Sequence, residues 1–454
     1  MLVKSPVHHT TTDALHKLIQ QYHFDKTPIE VNFRKLVHWI PYNSDRYTHL
    51  LHHYPAKLIP QIPHFFINNE LLSSKGDTVL DPFCGTGTVM VEAIVLGRNG
   101  IGADSNPLAR LIAKSKCTQI DAKVARKWQS GLQEVFRNTS HFTIPPVVNL
   151  EYWFSERIID ELGRLLSVIS HIQTPELRNL ALVTFSHTLR DVSLADPRIS
   201  VPVRLNPSRF HTSHYLHKKA KNRLDGLKRL SVLERFEEVF DFNLKRISNL
   251  SNNTQLGTLR GIASDARCLA IGASPRRIRS ETIQLAVTSP PYLGAQKYVR
   301  ASSLSLGWLN LVEPSDLTAI EATSIGREHF PKAEYSRLTK TGMRAADALL
   351  KNVFKKYPLR AQIASTYLLE MKASIQETHR TLKQGGYFAL VAGANRLCGE
   401  DFNTPDYLRR IAESAGFKTK LVLVDTIQSR GLMTKRNRTA GLIPQEWVFL
   451  FQRQ

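Results

Sequence analysis

Residues 77–105 read DTVLDPFCGTGTVMVEAIVLGRNGIGADS. DTVLDPF (77–83) is a short apolar run closed by Asp-Pro, the pattern of a buried strand. CGTGT (84–88) follows with two glycines, which let the backbone turn sharply and leave room for a ligand against it. VMVEAIVLGR (89–98) has helical apolar spacing, and NGIGADS (99–105) is a second strand ending on an acid. Asn106 and Pro107 then supply a cap and a first-turn proline for another helix. Strand, glycine turn, helix and strand make one βαβ unit, which sets the fold class as α/β with a parallel sheet.

The rest of the chain extends that unit. Residues 1–75 are mostly helical with interruptions: Thr11, Thr12 and Asp13 cap a helix running to about Tyr22, and Pro55, Pro60 and Pro63 break the stretch THLLHHYPAKLIPQIPHFFI (48–67) into short pieces. Between Lys114 and Gly261 the pattern is helical, as in ERIIDELGRLLSVIS and LDGLKRLSVLERFEEVFDF. Strands resume with GIASDA (261–266) and TIQLAVTSPPY (282–292). A long helix over about 361–383 precedes GGYFALVAGAN (385–395), FKTKLVLVDTIQS (417–429) and EWVFLFQ (446–452), the last two an antiparallel pair joined by a basic loop. The strands add up to one doubly wound sheet of about seven. The chain divides into 1–119 with the glycine turn, a helical insertion over 120–255, and 256–454 with the rest of the sheet.

Lys and Arg number 61 against 39 Asp and Glu in 454 residues, a net charge of +22, which points to a polyanionic partner with nucleic acid first. No apolar run reaches the roughly 18–20 residues of a membrane helix, and MLVKSPVHHTTTDALHK has no secretory pattern. The four cysteines, Cys84, Cys117, Cys268 and Cys398, are scattered, which fits a reducing, cytosolic compartment. His8, His9, His49, His52 and His53 have no acid or cysteine spaced for a metal and read as solvated or capping residues.

Asp104 lies 17 residues beyond Gly87, where an acid accepts hydrogen bonds from the ribose hydroxyls of a nucleoside cofactor. The third glycine of a dinucleotide fingerprint is replaced by Met90. Asp81, just before the turn, would repel a pyrophosphate and suits a cofactor with a cationic amino-acid end, so S-adenosylmethionine fits better than NAD. A turn whose glycines only permit tight packing is the alternative. No lysine follows the glycines as a P-loop requires. Thr288-Ser289-Pro290-Pro291-Tyr292 closes another apolar strand with two prolines, which stiffen the loop and leave carbonyls without neighbouring N–H donors. A hydroxyl and a carbonyl there would accept from an exocyclic NH2, with Tyr292 stacked on the ring that carries it.

Together DPFCGTGT, the acid of GADSNP and TSPPY resemble the S-adenosylmethionine-dependent amino-methyltransferases of DNA, and TSPPY most resembles their cytosine-N4 branch. HHYPAKLIP (52–60) is similar to a segment that faces the cofactor in some of them, and SDA (264–266) to one that contacts its adenine. The resemblance implies a seven-stranded Rossmann-like methyltransferase sheet. It implies cofactor contacts from Tyr54, Pro55, Lys57, Asp81, Phe83, Gly85, Thr86, Gly87, Asp104 and Asp265. Ser289, Pro290, Pro291 and Tyr292 would hold the base. Methylation at ring C5 would call for a Pro-Cys dipeptide, which the sequence lacks.

A base methylated on its amine must leave the duplex, so basic residues should grip the backbone. Lys218, Lys219 and Lys221 in one segment, Arg430, Lys435, Arg436 and Arg438 in the basic loop, and Gln296, Lys297 and Arg300 after TSPPY are the candidates; solvated charged faces are the alternative. The implied partners are double-stranded DNA and a cognate restriction endonuclease, in the cytoplasm of a prokaryote. Adenine-N6 methylation of DNA, guanine-N2 methylation of RNA and a non-catalytic DNA-binding adaptor are the other readings.

Overall fold

The computed structural model describes residues 10–55, 57–253, 255–272, 275–293, 298–426 and 445–454. In chain order the strands among these are β1 (Ile29–Val31), β2 (Thr78–Asp81), β3 (Asn99–Ala103), β4 (Leu259–Ala263), β5 (Ala270–Ile271), β6 (Arg276–Arg277), β7 (Ile283–Thr288), β8 (Leu382–Gly393), β9 (Asn395–Leu397), β10 (Glu400–Phe402), β11 (Phe417–Thr426) and β12 (Gln445–Arg453). Eight of them form one sheet in the order β1-β11-β12-β8-β7-β2-β3-β4, while β5 with β6 and β9 with β10 make small hairpins. Neighbours in the sheet run parallel except β12, which is antiparallel to both β11 and β8.

This is the expected doubly wound sheet with its closing antiparallel pair, corrected by one strand. The eighth, β1, pairs with β11 at the edge. Its three residues are too few to show a period of two, so its place is set by pairing and not by local pattern.

The winding locates the crevice. From β2 the chain moves outward to β3 and β4, then returns to lay β7 against the other side of β2. The strand order reverses between β2 and β7, and ligands of such sheets bind beyond the carboxyl ends of the strands at that point.

Alternate residues of the central strands point to opposite faces. Val79, Leu285, Val287, Ala389 and Val391 pack with Phe33, Phe65 and Phe66 on one side. Leu80, Ala286, Phe388 and Leu390 pack on the other with Tyr367, Met371 and Ile375 of the helix Pro358–Thr381. The inserted helices Ala122–Asn138, Glu156–Ser170, Pro175–Val192 and Val232–Ser251 share a further core with Leu108 and Ile112 of the helix Pro107–Lys116 and with Trp308. Among the described residues no helix is long and apolar enough to cross a membrane.

A buried charge network fastens the segment before the sheet to the helix after the glycine turn. Glu92 of the helix Thr88–Val95 is fully buried and accepts from His49 Nε2 and His64 Nδ1, each at 2.7 Å, with Arg46 3.7 Å away. Burial alone would raise its carboxyl; Arg46 and the two histidines outweigh it and hold the group well below the usual range. The expectation that the histidines are solvated or capping is corrected at His49, buried in this network, and at His52, buried against Ser186 Oγ at 2.9 Å. Glu92→Ala leaves the His49 and His64 imidazoles buried without their acceptor, and urea denaturation should show about 3 kcal/mol of lost stability.

Candidate functional site

The glycine turn leaves β2 at Asp81 and ends at Gly87, the N-cap of the helix Thr88–Val95. Gly85 and Gly87 have φ of 48° and 85°, a region side chains disfavour. The two differ in surroundings. A Cβ on Gly87 would sit 3.0 Å from the Ala113 Cβ, so that glycine allows helix packing. A Cβ on Gly85 would meet nothing within 4 Å, so the turn is open there. The missing third glycine has a compensation: a Cβ on Gly102 would lie 2.6 Å from the Met90 Sδ, so β3 provides the room that Met90 fills.

Two carboxylates frame the turn. Asp104, half-buried beyond β3, accepts from Gly85 N at 3.1 Å and Asn106 N at 2.7 Å. Burial raises it to about 6, against the opposing pull of those N–H groups and Arg110. Asp81 accepts from Thr288 Oγ1 at 2.5 Å and Phe83 N at 3.0 Å, and burial raises it to about 7. Thr288 is the first residue of TSPPY, so one hydrogen bond joins the two turns that the sequence keeps about two hundred positions apart. Val79 and Leu80 pair with Leu285 and Ala286 just below.

Tyr54, Pro55 and Lys57 of the HHYPAKLIP segment lie near the start of the helix after β3 and the glycine turn. The Tyr54 hydroxyl accepts from Asn106 Nδ2 at 3.0 Å, and its ring stacks parallel to Tyr298, 6.3 Å between centroids. Asn106 also caps the helix Pro107–Lys116 and donates to Ser302 Oγ at 3.1 Å. Pro55 is half-buried beside Tyr54. Lys57 donates to His52 O at 2.5 Å, and burial lowers its amine to about 8. Lys116 Nζ donates to Thr86 Oγ1 at 3.3 Å from beneath.

On the other side, Pro290 is buried and Ser289, Pro291 and Tyr292 are half-buried. The Tyr292 hydroxyl donates to Glu446 Oε1 at 2.6 Å. Glu446 stands opposite Asp425 across the β11–β12 pair, and burial raises both carboxyls, Asp425 to about 6. Nothing in EWVFLFQ marks its acid as a partner of a loop so distant in the chain; only the strand register brings them together. The sequence also gives no sign of residues 324–326. There Ser324 Oγ meets Ser105 Oγ, just beyond β3, at 3.2 Å, and a Cβ on Gly326 would come within 3.3 Å of the Tyr292 carbonyl.

Other expected residues are less centrally placed. Asp265 follows β4 at the same sheet end, but its oxygens take a fork from Arg267, Nε at 2.9 Å and Nη2 at 3.0 Å. Arg300 is exposed and bonds His329 at 2.9 Å. Lys218, Lys219 and Lys221 are exposed on the helix Tyr215–Leu227. Gln296, Lys297, Arg430, Lys435, Arg436 and Arg438 lie outside the described residues. Among those described, all four cysteines are free and no cluster of three or more His, Cys, Asp or Glu side chains could hold a metal.

A parallel sheet that reverses between the glycine turn and the proline turn, closed by one antiparallel strand, is the architecture of a Rossmann-like methyltransferase fold. Residues 10–115 match the family model for DNA methylase. The chain is 24% identical over 371 residues to the Type II methyltransferase M.MvaI of Kocuria varians, covering 76% of each. It is 23% identical over 392 residues to the Type II methyltransferase M.BsoBI of Geobacillus stearothermophilus, covering 76% of this chain and 74% of that one. A crystal structure of an S-adenosylmethionine-dependent methyltransferase from Methanosarcina mazei aligns over 88% of this chain and 98% of its own, with TM-score 0.30 and 11% identity. The matched model and these relatives support the DNA N4/N6 amino-methyltransferase family, with S-adenosylmethionine as the methyl donor. The residues present fit that donor: the turn is open above Gly85, and acids stand on both sides of it.

The buried Asp81 carboxyl has a stability cost with a definite sign. Its folded value of about 7 lies above the ordinary 3.8, so the folded protein holds the proton more tightly and loses stability as pH rises through that window. Asp81→Asn should therefore raise the unfolding free energy of the ligand-free protein, read from urea denaturation, by about 2 kcal/mol at pH 8 and by less at pH 5.

Proposed function

We propose that this chain transfers the methyl group of S-adenosylmethionine to the exocyclic amine of a base flipped out of double-stranded DNA, with cytosine N4 as the target. The observation that carries the reading is the Thr288–Asp81 hydrogen bond, which puts the glycine turn and the SPPY turn at one crevice. When bound, S-adenosylmethionine supplies an electrophilic sulfonium methyl. The chain's own residues then have separate tasks. Asp104 accepts from the ribose hydroxyls, and Gly85, Thr86 and Gly87 receive the methionine end with Asp81 beside its cationic groups. Phe83, Tyr54, Pro55 and Lys57 enclose the cofactor, and Asp265, with Arg267, faces its adenine.

The target amine is a weak nucleophile because its lone pair is shared with the ring. Ser289 Oγ and the Pro290 carbonyl accept its two hydrogens and favour the pyramidal form, in which the lone pair points at the methyl group. Pro291 keeps that loop stiff, and Tyr292 stacks on the base while Glu446 holds its hydroxyl. The transfer moves one positive charge from the sulfur to the attacking nitrogen, which then releases a proton to solvent, so the charge shifts only a short distance and the rate gain comes mostly from positioning.

For the DNA, the +22 net charge and the exposed Lys218, Lys219 and Lys221 supply backbone contacts. At the start of their helix Phe210, His214 and Tyr215 stack in series, with centroids 5.9 and 4.9 Å apart. This favours the helical block 120–255 as the part that reads the target. Arg300, Gln296, Lys297 and the basic residues Arg430, Lys435, Arg436 and Arg438 complete the grip around the flipped nucleotide, in a protein that works on DNA in the cytoplasm.

Mass spectrometry of nucleosides from duplex DNA incubated with the protein and S-adenosylmethionine should find N4-methylcytosine. Methyladenine, or methylguanine in RNA, would overturn the target, and no transfer to either polymer would overturn the activity. Tyr292→Ala should lower kcat by about tenfold to a hundredfold, the scale of one lost base stack. Its affinity for S-adenosylhomocysteine should stay near wild type in calorimetry. Glu446→Ala should show the same pattern more weakly, because it loosens the ring without removing it.

Cofactor affinity should itself depend on pH. Asp104 and Asp81 carry the negative charge that makes them strong acceptors and partners for cations only when ionised, and their values of about 6 and about 7 place that change near neutrality. Titration calorimetry should find S-adenosylhomocysteine binding tightening from pH 5 to pH 8.

A further inference from the structure

Lys116 ends the helix Pro107–Lys116 and is fully buried. Among the described residues no carboxylate lies within ion-pair distance of its amine, whose hydrogen bond is to Thr86 Oγ1 at 3.3 Å in the glycine turn. Its backbone is fixed by a 2.8 Å bond from Thr48 Oγ1 to its carbonyl, so the side chain starts from a rigid base. Burial holds the amine well below its ordinary range, and the neighbouring Lys57 pushes the same way. An unpaired buried amine is among the costlier groups for a fold to keep, and an apolar side chain of similar length would pack without that cost. The fold therefore does not explain this lysine.

Thr86 shows where its influence goes. The hydroxyl is 4% exposed and accepts from Lys116, so its own O–H is left to donate, and no acceptor for it occurs among the described residues. Next to it in the turn is the open space over Gly85. Lys57 brings a second amine from the covering segment, held by His52 O at 2.5 Å and His49 O at 3.5 Å. Two amines, neither with a carboxylate within ion-pair distance among the described residues, and an unspent hydroxyl donor describe a receptor for an anion.

We propose that Lys116 is the positioning residue for the carboxylate of the cofactor's methionine end: its amine donates to Thr86, the Thr86 hydroxyl donates to the carboxylate, and Lys57 adds a second cation. This rests on the reading that the methionine end lies at the glycine turn. It gives opposite ends of one amino acid opposite partners, with Asp81 for the cationic groups and the lysine pair for the anionic one.

The test is calorimetry with two ligands, S-adenosylhomocysteine and its decarboxylated form, on the full chain. Lys116→Met should bind S-adenosylhomocysteine about tenfold to a hundredfold more weakly, the range for a hydrogen bond to a charged group, and bind the decarboxylated ligand as wild type does. Without ligand it should melt at a higher temperature than wild type, since it no longer buries an unpaired amine. Unchanged S-adenosylhomocysteine affinity would overturn the proposal, as would equal losses for both ligands with a lower melting temperature, the mark of a purely structural lysine. Thr86→Val, which cuts the relay without touching the lysine, should lose the same preference for the carboxylate and serves if the first variant fails to fold. Wild-type protein that binds neither ligand would refute the cofactor placement itself, and the lysine's role with it.

Discussion

A 2.5 Å hydrogen bond from Thr288 to Asp81 ties the ends of two adjacent parallel strands, and the chemistry assigned to this protein depends on that tie. Each partner heads a turn of its own, one built on glycines and open above Gly85, the other stiffened by Pro290 and Pro291. The bond fixes the distance between what the two turns carry. Because β2 and β7 lie where the strand order reverses, their outgoing connections leave to opposite sides, and the crevice is a consequence of topology.

Around this crevice the protein keeps several charges in costly places. Asp81 and Asp104 are held where burial disfavours their ionised forms, and Lys116 is buried with a hydroxyl for company. Glu92 has the opposite character. Arg46, His49 and His64 surround it, and the result is a structural clamp between the covering segment and the helix after the glycine turn. The contrast separates buried charge that supports the fold from buried charge that the fold only tolerates. Groups of the second kind gather at the glycine turn, as expected for a site preorganised toward a charged ligand.

Local pattern made much of this legible in the sequence. The βαβ unit, the capping Asn106 and Pro107, and the closing antiparallel pair follow from periodicity and turn chemistry over short windows. The places of Asp81, Gly85, Asp104 and the SPPY turn at the ends of their strands were readable because they depend on neighbours in the chain. Contacts set by strand register were not. Glu446 reaches Tyr292 only because β12 pairs with β8 and β11 in one alignment. Gly326 approaches the Tyr292 carbonyl through a loop without periodicity. The strand β1 is too short to carry a signal, and Met90 looked like a defect in the glycine pattern until Gly102 was seen to make room for it. Arg267 shows a further limit: its fork onto Asp265 is local in sequence, yet nothing in the residue types says that the arginine would turn back onto that acid.

The central claim is that one crevice receives both methyl donor and base. A crystal structure of the protein with S-adenosylhomocysteine and duplex DNA containing its target site measures this directly. The account predicts an extruded cytosine against Tyr292, its amine nitrogen within about 4–5 Å of the cofactor sulfur, near the spacing an in-line transfer requires, and the ribose hydroxyls on Asp104. A cofactor seated away from Gly85, or a base held on a different face of the sheet from Pro290, would contradict it.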